Sequence, residues 1–151
     1  PVLGAYGKPF TADQVFAAHH QAVAAGLHVA HYFLLGGPGE TPDTLAETLA
    51  NIGRLKKTVV FLFCGMRIYP GTPLYSQALS EGLIDASSEL LEPVFYETPT
   101  ISRRHILDRV RDRANGRTNW VIGSGGTETS RIISRMYKKG YSGPLWEFLV
   151  R

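Results

Sequence analysis

Two loops of this chain carry residue types that could bind a ligand. The first, GGPGE at Gly36–Glu40, contains three glycines, which let a backbone approach a ligand closely and expose its N–H groups. Thr41 and Pro42 then suit the start of a helix, and a helix amino terminus favours an anionic group. The pattern is compatible with a phosphate- or nucleotide-binding loop, and equally with a tight turn whose glycines serve only local geometry.

The second loop, GMRIYPGT at Gly65–Thr72, places Arg67 just after a segment that should be a buried strand. An arginine in that position needs water, an anion or a carboxylate partner. Two interpretations follow, a ligand-binding arginine and a structural ion pair with Glu40 on the neighbouring loop.

The elements that position these loops are indicated by apolar periodicity. Val29–Leu35 and Thr58–Cys64 are short apolar runs, which predict strands covered on both faces. Between them, Leu45 to Leu55 carries a single helical stripe of apolar residues. A strand, a helix and a strand in this order predict a βαβ unit with parallel strands. Both loops should then lie at the carboxyl edge of the sheet, where α/β proteins bind ligands.

The flanking segments are mostly helical in pattern. Thr11 and Gln14 predict a capping box, and the helix that follows should turn its alanines and valines inward. Residues 83–99 show no period, which predicts an irregular segment crossing the surface. A helix at Ser102–Ala114, a short strand near Asn119–Ile122, a helix ending before Gly140 and a docking apolar tail complete the chain. The inward residues expected in the first helix are Val15, Ala18, Ala22 and Val23.

Several other patterns have a simpler structural interpretation. His19 and His20 are neighbours on a helix, and His28 and His31 should face opposite sides of a strand, so neither pair predicts a metal site. GSGGTE at Gly123–Glu128 lacks the glycine spacing of a dinucleotide loop and predicts a helix start instead. The arginine-rich helix at residues 102–114 predicts a solvated face with internal ion pairs rather than an RNA-binding surface.

The composition describes a folded globular protein. Its 151 residues are 44% hydrophobic and 19% charged, with a net charge of +3, which excludes a disordered chain and gives no indication of nucleic acid as a partner. Cys64 is the single cysteine, so no internal disulfide forms. No apolar stretch reaches the length of a membrane helix, and the start has neither a signal peptide nor an initiator Met. We therefore expect a cytoplasmic fragment or processed product that does not bind membranes.

Two motifs also carry a family resemblance. FLLGGPGETPDTLAETL at residues 33–49 resembles a late barrel strand and helix of radical S-adenosylmethionine (SAM) enzymes, which often end that strand in a G-x-PGET turn. FLFCGMRIYPGTPLYSQALSEGLI at residues 61–84 resembles the next strand, with its R-x-x-PGT-x-L loop. Residues 3–15 resemble the segment leading into the preceding helix. Residues 137–149 resemble a tail found in members that carry a cobalamin-binding domain.

The resemblance implies a fragment of a parallel (β/α) partial TIM-type barrel over residues 1–84, with a mostly helical extension over residues 85–151. In that family a C-x-x-x-C-x-x-C loop holds a 4Fe-4S cluster that cleaves SAM reductively, and some members also bind cobalamin. Leu34, Gly36 and Pro38 match the motif that packs along the adenine of SAM, and Gly37 lies within the same turn. Arg67 matches an arginine that faces the barrel mouth.

The chain departs from the family at the cluster, because one cysteine cannot supply three thiolates. The resemblance then implies a longer parent enzyme acting on an unknown small molecule, of which this chain provides part of the SAM and substrate pocket. We expect no catalytic residue and no metal ligand here, and no activity from the chain alone. Its open strand edges predict a homodimer. The alternative is a non-catalytic βα module that binds a phosphate or nucleotide through Gly36–Glu40, or an interaction domain.

Overall fold

The computed structural model of the chain describes residues 1–123 and 127–150, which form a mixed α/β structure. This part of the chain contains six α-helices, a three-stranded sheet and a two-stranded sheet. In chain order the elements are α1 Val2–Ala5, α2 Ala12–Ala24, β1 Val29–Leu35, α3 Pro42–Arg54, β2 Thr58–Cys64, β3 Met66–Arg67, α4 Pro73–Ser80, β4 Phe95–Tyr96, α5 Arg103–Ala114, β5 Trp120–Ile122, α6 Thr127–Lys138 and a 3₁₀ helix at Leu145–Leu149.

The main sheet is parallel and has the strand order β1-β2-β5. β1 and β2 pair over their full lengths, with Val29 opposite Thr58 and Leu35 opposite Cys64. The two parallel strands and their bounds are therefore confirmed. β5 pairs with β2 on the side away from β1, and its residues fall within the short strand expected near Asn119–Ile122.

Thr58 ties the amino ends of all three strands together. Its hydroxyl donates a hydrogen bond of 2.8 Å to the carbonyl of Val29, the residue opposite Thr58 on β1. The Asn119 side-chain amide donates to the Thr58 carbonyl at 2.8 Å, and the Val60 N–H donates to the Asn119 carbonyl at 2.9 Å. These bonds fix the register of β1, β2 and β5 relative to one another.

One face of the main sheet is covered by α3 and α5. The predicted apolar stripe of α3 is confirmed, because Leu45, Leu49, Ile52 and Leu55 are all buried. The core between this face and the helices draws on both residues 1–84 and residues 85–151. Its fully buried members include Leu35, Leu45, Ile52, Val60, Leu62, Ile106 and Val110.

The other face of the sheet is only partly covered. Tyr32 is 65% exposed and Leu34 is 41% exposed, while Phe61 and Phe63 are half-buried. The prediction that β1 is covered on both faces is therefore wrong at Tyr32 and Leu34. The reason is that α2 and α3, which flank β1 in the chain, both pack on the opposite face. The C-terminal 3₁₀ helix contacts β2, as expected for a docking tail.

The helix α2 begins with the predicted capping box of Thr11 and Gln14. Its fully buried residues are Phe16 and His19, while the expected inward residues Val15, Ala22 and Val23 are half-buried, so the expected inward face is wrong at Ala18, which is exposed. The helix is rotated because Phe16 packs under the Arg54 guanidinium of α3, at 4.1 Å from the ring centre, while His19 meets β1.

A second, smaller core lies beyond the carboxyl end of β2. β3 pairs with β4 in antiparallel fashion, and Ile68, Ala78 and Tyr96 are buried together there. Residues 83–99 were expected to cross the surface without order, which is wrong for this part of the segment. Burial raises the pKa of the Tyr96 phenol to about 12.

No helix in the described ranges has both the length and the apolar character needed to cross a membrane. Residues 124–126 of the glycine-rich segment Gly123–Glu128 lie outside the described residues.

Candidate functional site

A cleft of about 640 Å³ follows β1 along the side that does not pair with β2. Four successive residues of β1, from His31 to Leu34, line this cleft. Because successive strand residues point to opposite faces, the cleft must wrap around the edge of the strand. Its other walls come from α1, α2, α3 and the segment between α1 and α2, including Tyr6, Lys8, Phe10, Phe16, Thr48 and Asn51.

Three aromatic rings form a row on the open face of the sheet. The Tyr32 ring lies 4.8 Å from the Phe61 ring with an angle of 15° between their planes. The Phe63 ring is nearly parallel to Tyr32, at 3° and 6.2 Å. The strand register produces this row, since Tyr32 pairs with Phe61 and Phe63 is the next residue on the same face. Tyr32 is thus the partner of both β2 rings, and Tyr32 and Phe63 line the cleft.

The loop Gly36–Glu40 closes on itself beneath α1. The buried Glu40 carboxylate accepts a hydrogen bond from the Gly36 N–H. The Gly37 N–H donates to the Tyr6 hydroxyl at 3.0 Å, and that hydroxyl donates to the Leu34 carbonyl at 3.4 Å. Burial raises the pKa of both Glu40 and Tyr6 above their ordinary values. The backbone N–H groups of Gly36 and Gly37, the first two of the loop, thus already have hydrogen-bond acceptors within the protein.

Local packing alone accounts for the first two glycines of the loop. Gly36 has a φ of 78°, a left-handed conformation that side chains other than glycine rarely adopt. At Gly37, a β-carbon would overlap the Tyr6 hydroxyl and the Met66 sulfur. The interpretation as a tight turn is therefore sufficient for both positions.

The structure separates the site residues expected from the sequence. Leu34 lines the cleft, whereas Gly36, Gly37 and Pro38 are buried. Arg67 is exposed and lies outside the residues that line the cleft, with its guanidinium 4.8 Å from the centre of the Tyr69 ring.

The expected ion pair between Arg67 and Glu40 is wrong. The Glu40 carboxylate bonds to a backbone N–H within its own loop, while Arg67 projects into solvent beside β4. The exposure of Arg67 also excludes the interpretation that Arg67 is a buried structural cation.

A histidine pair was missed by the sequence interpretation. His31 Nε2 lies 3.0 Å from His19 Nδ1, and His31 also lines the cleft. Burial lowers the pKa of both residues and so favours their neutral forms. The rules of strand alternation and helix periodicity relate only residues that are close in sequence. His19 and His31 are twelve residues apart and meet through tertiary packing, so these rules could not pair them.

The residues described here do not fit the iron–sulfur cluster that the resemblance implies. Cys64 is buried, and burial raises its thiol pKa to about 11, which disfavours the thiolate that ligates metal. No group of three or more His, Cys, Asp or Glu side chains converges for metal binding within residues 1–123 and 127–150.

The cleft nevertheless has the make-up of a small-molecule site. Its walls are mainly apolar, and Tyr6, His31 and Glu40 bring polar groups with shifted pKa values to it. Comparison of the chain with family models, with curated proteins and with solved structures gives no match.

Proposed function

We propose that this chain is part of a radical SAM enzyme and forms one wall of its SAM and substrate pocket. The observation that supports this proposal is the unequal covering of the parallel sheet. Helices α3 and α5 cover one face, and the other face presents Tyr32 and Leu34 to solvent. A (β/α) barrel has the same division, because its helices form the outer layer and its active site lies at the carboxyl ends of the strands.

Within this proposal, the exposed residues meet ligand and the buried ones shape the turn. Leu34 is close to the carboxyl end of β1 on the open face, where it would pack against the adenine of SAM. Arg67 follows β2 and has no carboxylate partner among the described residues within 4.0 Å, so its charge is available for substrate. Gly36, Gly37 and Pro38 would act through the geometry of the loop.

The cluster would be held by a cysteine motif elsewhere in a longer protein, where it supplies the electron that cleaves SAM. Nothing in the present chain replaces that motif, so the chain alone is inactive in this proposal. The substrate is an unidentified small molecule. A cytoplasmic location and a homodimer also belong to the proposal, the first because a reducing compartment keeps Cys64 free.

Phosphate or nucleotide binding through Gly36–Glu40 is not favoured by the geometry. An anion at a loop of this kind needs free N–H groups, and those of Gly36 and Gly37 are engaged by Glu40 and Tyr6. An ionised Glu40 would also repel the anion.

The decisive experiment is to read the transcript upstream of the codon for Pro1. We expect an open reading frame with a C-x-x-x-C-x-x-C motif on the order of a hundred residues upstream, as a barrel of this type requires. A start codon directly before Pro1 would remove the proposal.

An activity measurement on the full-length protein then tests the pocket. Anaerobic SAM cleavage to 5′-deoxyadenosine should be weakened by Leu34→Asp through a higher KM for SAM. Leu91→Asp is the matched control, since Leu91 is 85% exposed and lies outside the cleft. Equal effects of the two substitutions would show that Leu34 does not meet SAM.

A further inference from the structure

The helix α6 separates its apolar and basic side chains onto opposite sides. Four apolar or aromatic residues recur at the spacing of helical turns and share one side, namely Ile132, Ile133, Met136 and Tyr137. Three basic residues follow the same spacing on the other side, namely Arg131, Arg135 and Lys138. Among the helices α2 to α6, this separation is strongest in α6.

The apolar side of α6 is open to solvent. Ile132 is 56% exposed and Tyr137 is 54% exposed, while Met136 is half-buried. The apolar stripe of α3, by contrast, is buried in the core. An amphipathic helix normally turns its apolar side toward such a core, and a group of exposed apolar residues marks an interaction site. The open side of α6 therefore indicates a partner outside the described residues.

The segment that follows α6 adds aromatic rings beside this apolar side. The helix ends in a Schellman motif, in which the Gly140 N–H donates to the Tyr137 carbonyl at 2.9 Å and the Tyr141 N–H donates to the Met136 carbonyl at 3.2 Å. This motif turns the chain back and brings Tyr141 beside the last turn of the helix. Tyr141 meets the edge of Phe148, with 5.1 Å between ring centres, and both rings are exposed.

Basic residues are concentrated in the same part of the chain. Residues 101–151 contain eleven Lys and Arg and four Asp and Glu, whereas residues 1–100 contain five and nine. The modest net charge thus combines an acidic first part with a strongly basic second part. Between Arg131 and Val150 the only acidic residue is Glu147, whose carboxylate lies 3.4 Å from His28 Nδ1. The sequence around α6 therefore favours an anionic partner.

A surface of anionic lipid matches both sides of α6 at once. A helix of this kind lies in the plane of the membrane interface, with its apolar side against the acyl chains. Its basic side chains bury their stems and place their charges among the lipid phosphates. The Tyr137 and Tyr141 rings suit the same depth, because each has an apolar body and a polar tip. Nucleic acid would pair with the basic side alone and leave the apolar side in water.

We propose that α6, together with Tyr141 and Phe148, binds the surface of membranes that contain anionic phospholipids. The contact is peripheral, because a helix of 12 residues is too short to span a bilayer. The expectation that the chain does not bind membranes rested on the length of its apolar stretches, which a surface helix does not need, and the proposal departs from it. Membrane contact through α6 goes beyond the proposed function, because it uses neither the cleft nor SAM and holds or fails on this chain by itself.

Flotation of the 151-residue chain with lipid vesicles tests the proposal. One vesicle contains phosphatidylcholine alone, and the other contains equal parts of phosphatidylcholine and phosphatidylserine. We expect partition onto the phosphatidylserine vesicles to be at least about tenfold stronger, because each basic residue near the surface adds to the attraction. At about 1 M salt, where the screening length is about 3 Å, this preference should shrink. Equal partition onto both vesicles, or none onto either, would overturn the proposal.

Substitutions with matched controls test the two sides of α6 separately. Ile133→Asn should reduce partition about tenfold by removing an apolar contact, whereas Leu91→Asn, at a residue that is 85% exposed and outside α6, should not. Arg135→Gln should reduce partition about fivefold. Arg104→Gln on α5 changes the net charge equally at a side chain that is 92% exposed, and it should have little effect. Equal losses from the two arginine substitutions would show that overall charge alone attracts the chain, and would overturn the proposal.

Two other partners would be recognised by the same variants. Binding to poly(U) RNA that exceeds vesicle binding, and that Ile133→Asn leaves unchanged, would assign the basic side of α6 to nucleic acid. A dimer that Ile133→Asn dissociates in sedimentation equilibrium without lipid would assign the apolar side to a second copy of the chain. Either result would overturn the proposal, and we expect neither, because only a lipid surface engages both sides of the helix.

Discussion

The imidazole of His31 donates to or accepts from that of His19 across 3.0 Å, and this single bond joins the middle of β1 to α2. Only one proton fits between the two nitrogens. His20 lies 5.6 Å from His19 between ring centres, and Arg54 packs on the nearby Phe16. Burial lowers the pKa of His19, and the nearby Lys56 backbone opposes this only in part.

This pair predicts a loss of stability on acidification. Both histidines have a folded-state pKa below the ordinary 6.5, so the unfolded chain takes up protons first as the pH falls. The free energy of unfolding should be constant above about pH 7 and should decrease below about pH 6.5, by at most about 1.4 kcal/mol per pH unit for each histidine. Urea unfolding between pH 8 and pH 5 measures the slope. His31→Phe should flatten it, whereas His105→Gln on the exposed face of α5 should not; equal slopes in both variants would contradict the assignment.

Glu40 should be required for its oxygen atom rather than for its charge. Glu40→Ala leaves the buried Gly36 N–H without an acceptor and should cost about 1–3 kcal/mol of stability. Glu40→Gln keeps an acceptor oxygen and avoids a buried charge, so it should be close to native or more stable. Thermal unfolding compares them, with Glu47→Gln on the exposed side of α3 as control. A Gln variant as unstable as the Ala variant would show that the ionised carboxylate is needed.

Arg67 should matter for activity and little for folding. The exposed guanidinium stacks on Tyr69, a contact worth roughly 0.5–1 kcal/mol at such sites. Arg67→Ala should therefore leave the melting temperature within a few degrees, while lowering the activity of the full-length enzyme through a higher KM for substrate. Calorimetry and steady-state kinetics together separate the effects. Severe unfolding with normal activity per folded molecule would be the opposite result.

The chain alone should not assemble an iron–sulfur cluster. Its one thiol, Cys64, is buried with a pKa raised to about 11, so it is a poor ligand. After anaerobic reconstitution with iron and sulfide, we expect no stoichiometric cluster absorbance and no cleavage of SAM. Cys64→Ser is the control and should behave identically. Stoichiometric incorporation that disappears in this variant would refute the prediction.

Self-association should occur through the free edge of β1. That edge carries the exposed Tyr32 and Leu34 beside unpaired strand backbone, which is a template for another strand. Sedimentation equilibrium at micromolar concentration should show a dimer, which Tyr32→Lys weakens and Tyr137→Lys does not. A stable monomer near 16.6 kDa at all concentrations would contradict this prediction.

The elements of the βαβ unit were predictable because their signals are local. The apolar runs at Val29–Leu35 and Thr58–Cys64 coincide with the strands, and the cap at Thr41 starts α3 as expected. These features depend on periodicity and side-chain capping within a few residues, which the sequence displays directly.

The errors arose where distant segments decide the outcome. The meeting of His19 with His31, the burial of Tyr96 and the partner of Glu40 all depend on packing between elements far apart in sequence. The exposure of Tyr32 has the same cause. Its apolar neighbours in the sequence predict a strand covered on both faces, and they do so whether or not another strand lies beside β1. Of the expected site residues only Leu34 lines the cleft, which follows the unpaired side of β1, whereas the sequence placed the site at the carboxyl ends of the strands.

The hydrogen bonds of Thr58 lie at the amino end of the sheet, so the residues at its two ends differ in how freely they can be substituted. The alignment of the strands is set at the amino end by the contacts of Thr58 with Val29 and Asn119. A ligand bound at the carboxyl end of the strands cannot reach these contacts. At the carboxyl end, the Gly65 N–H of the loop after β2 donates to the Leu35 carbonyl at 2.8 Å, but this is a backbone bond, and the exposed side chains of that loop, such as Arg67 and Tyr69, take no part in the alignment. Replacement of these side chains can consequently change what the protein recognises while the strands keep their alignment, an arrangement that lets one scaffold acquire new specificities by small steps.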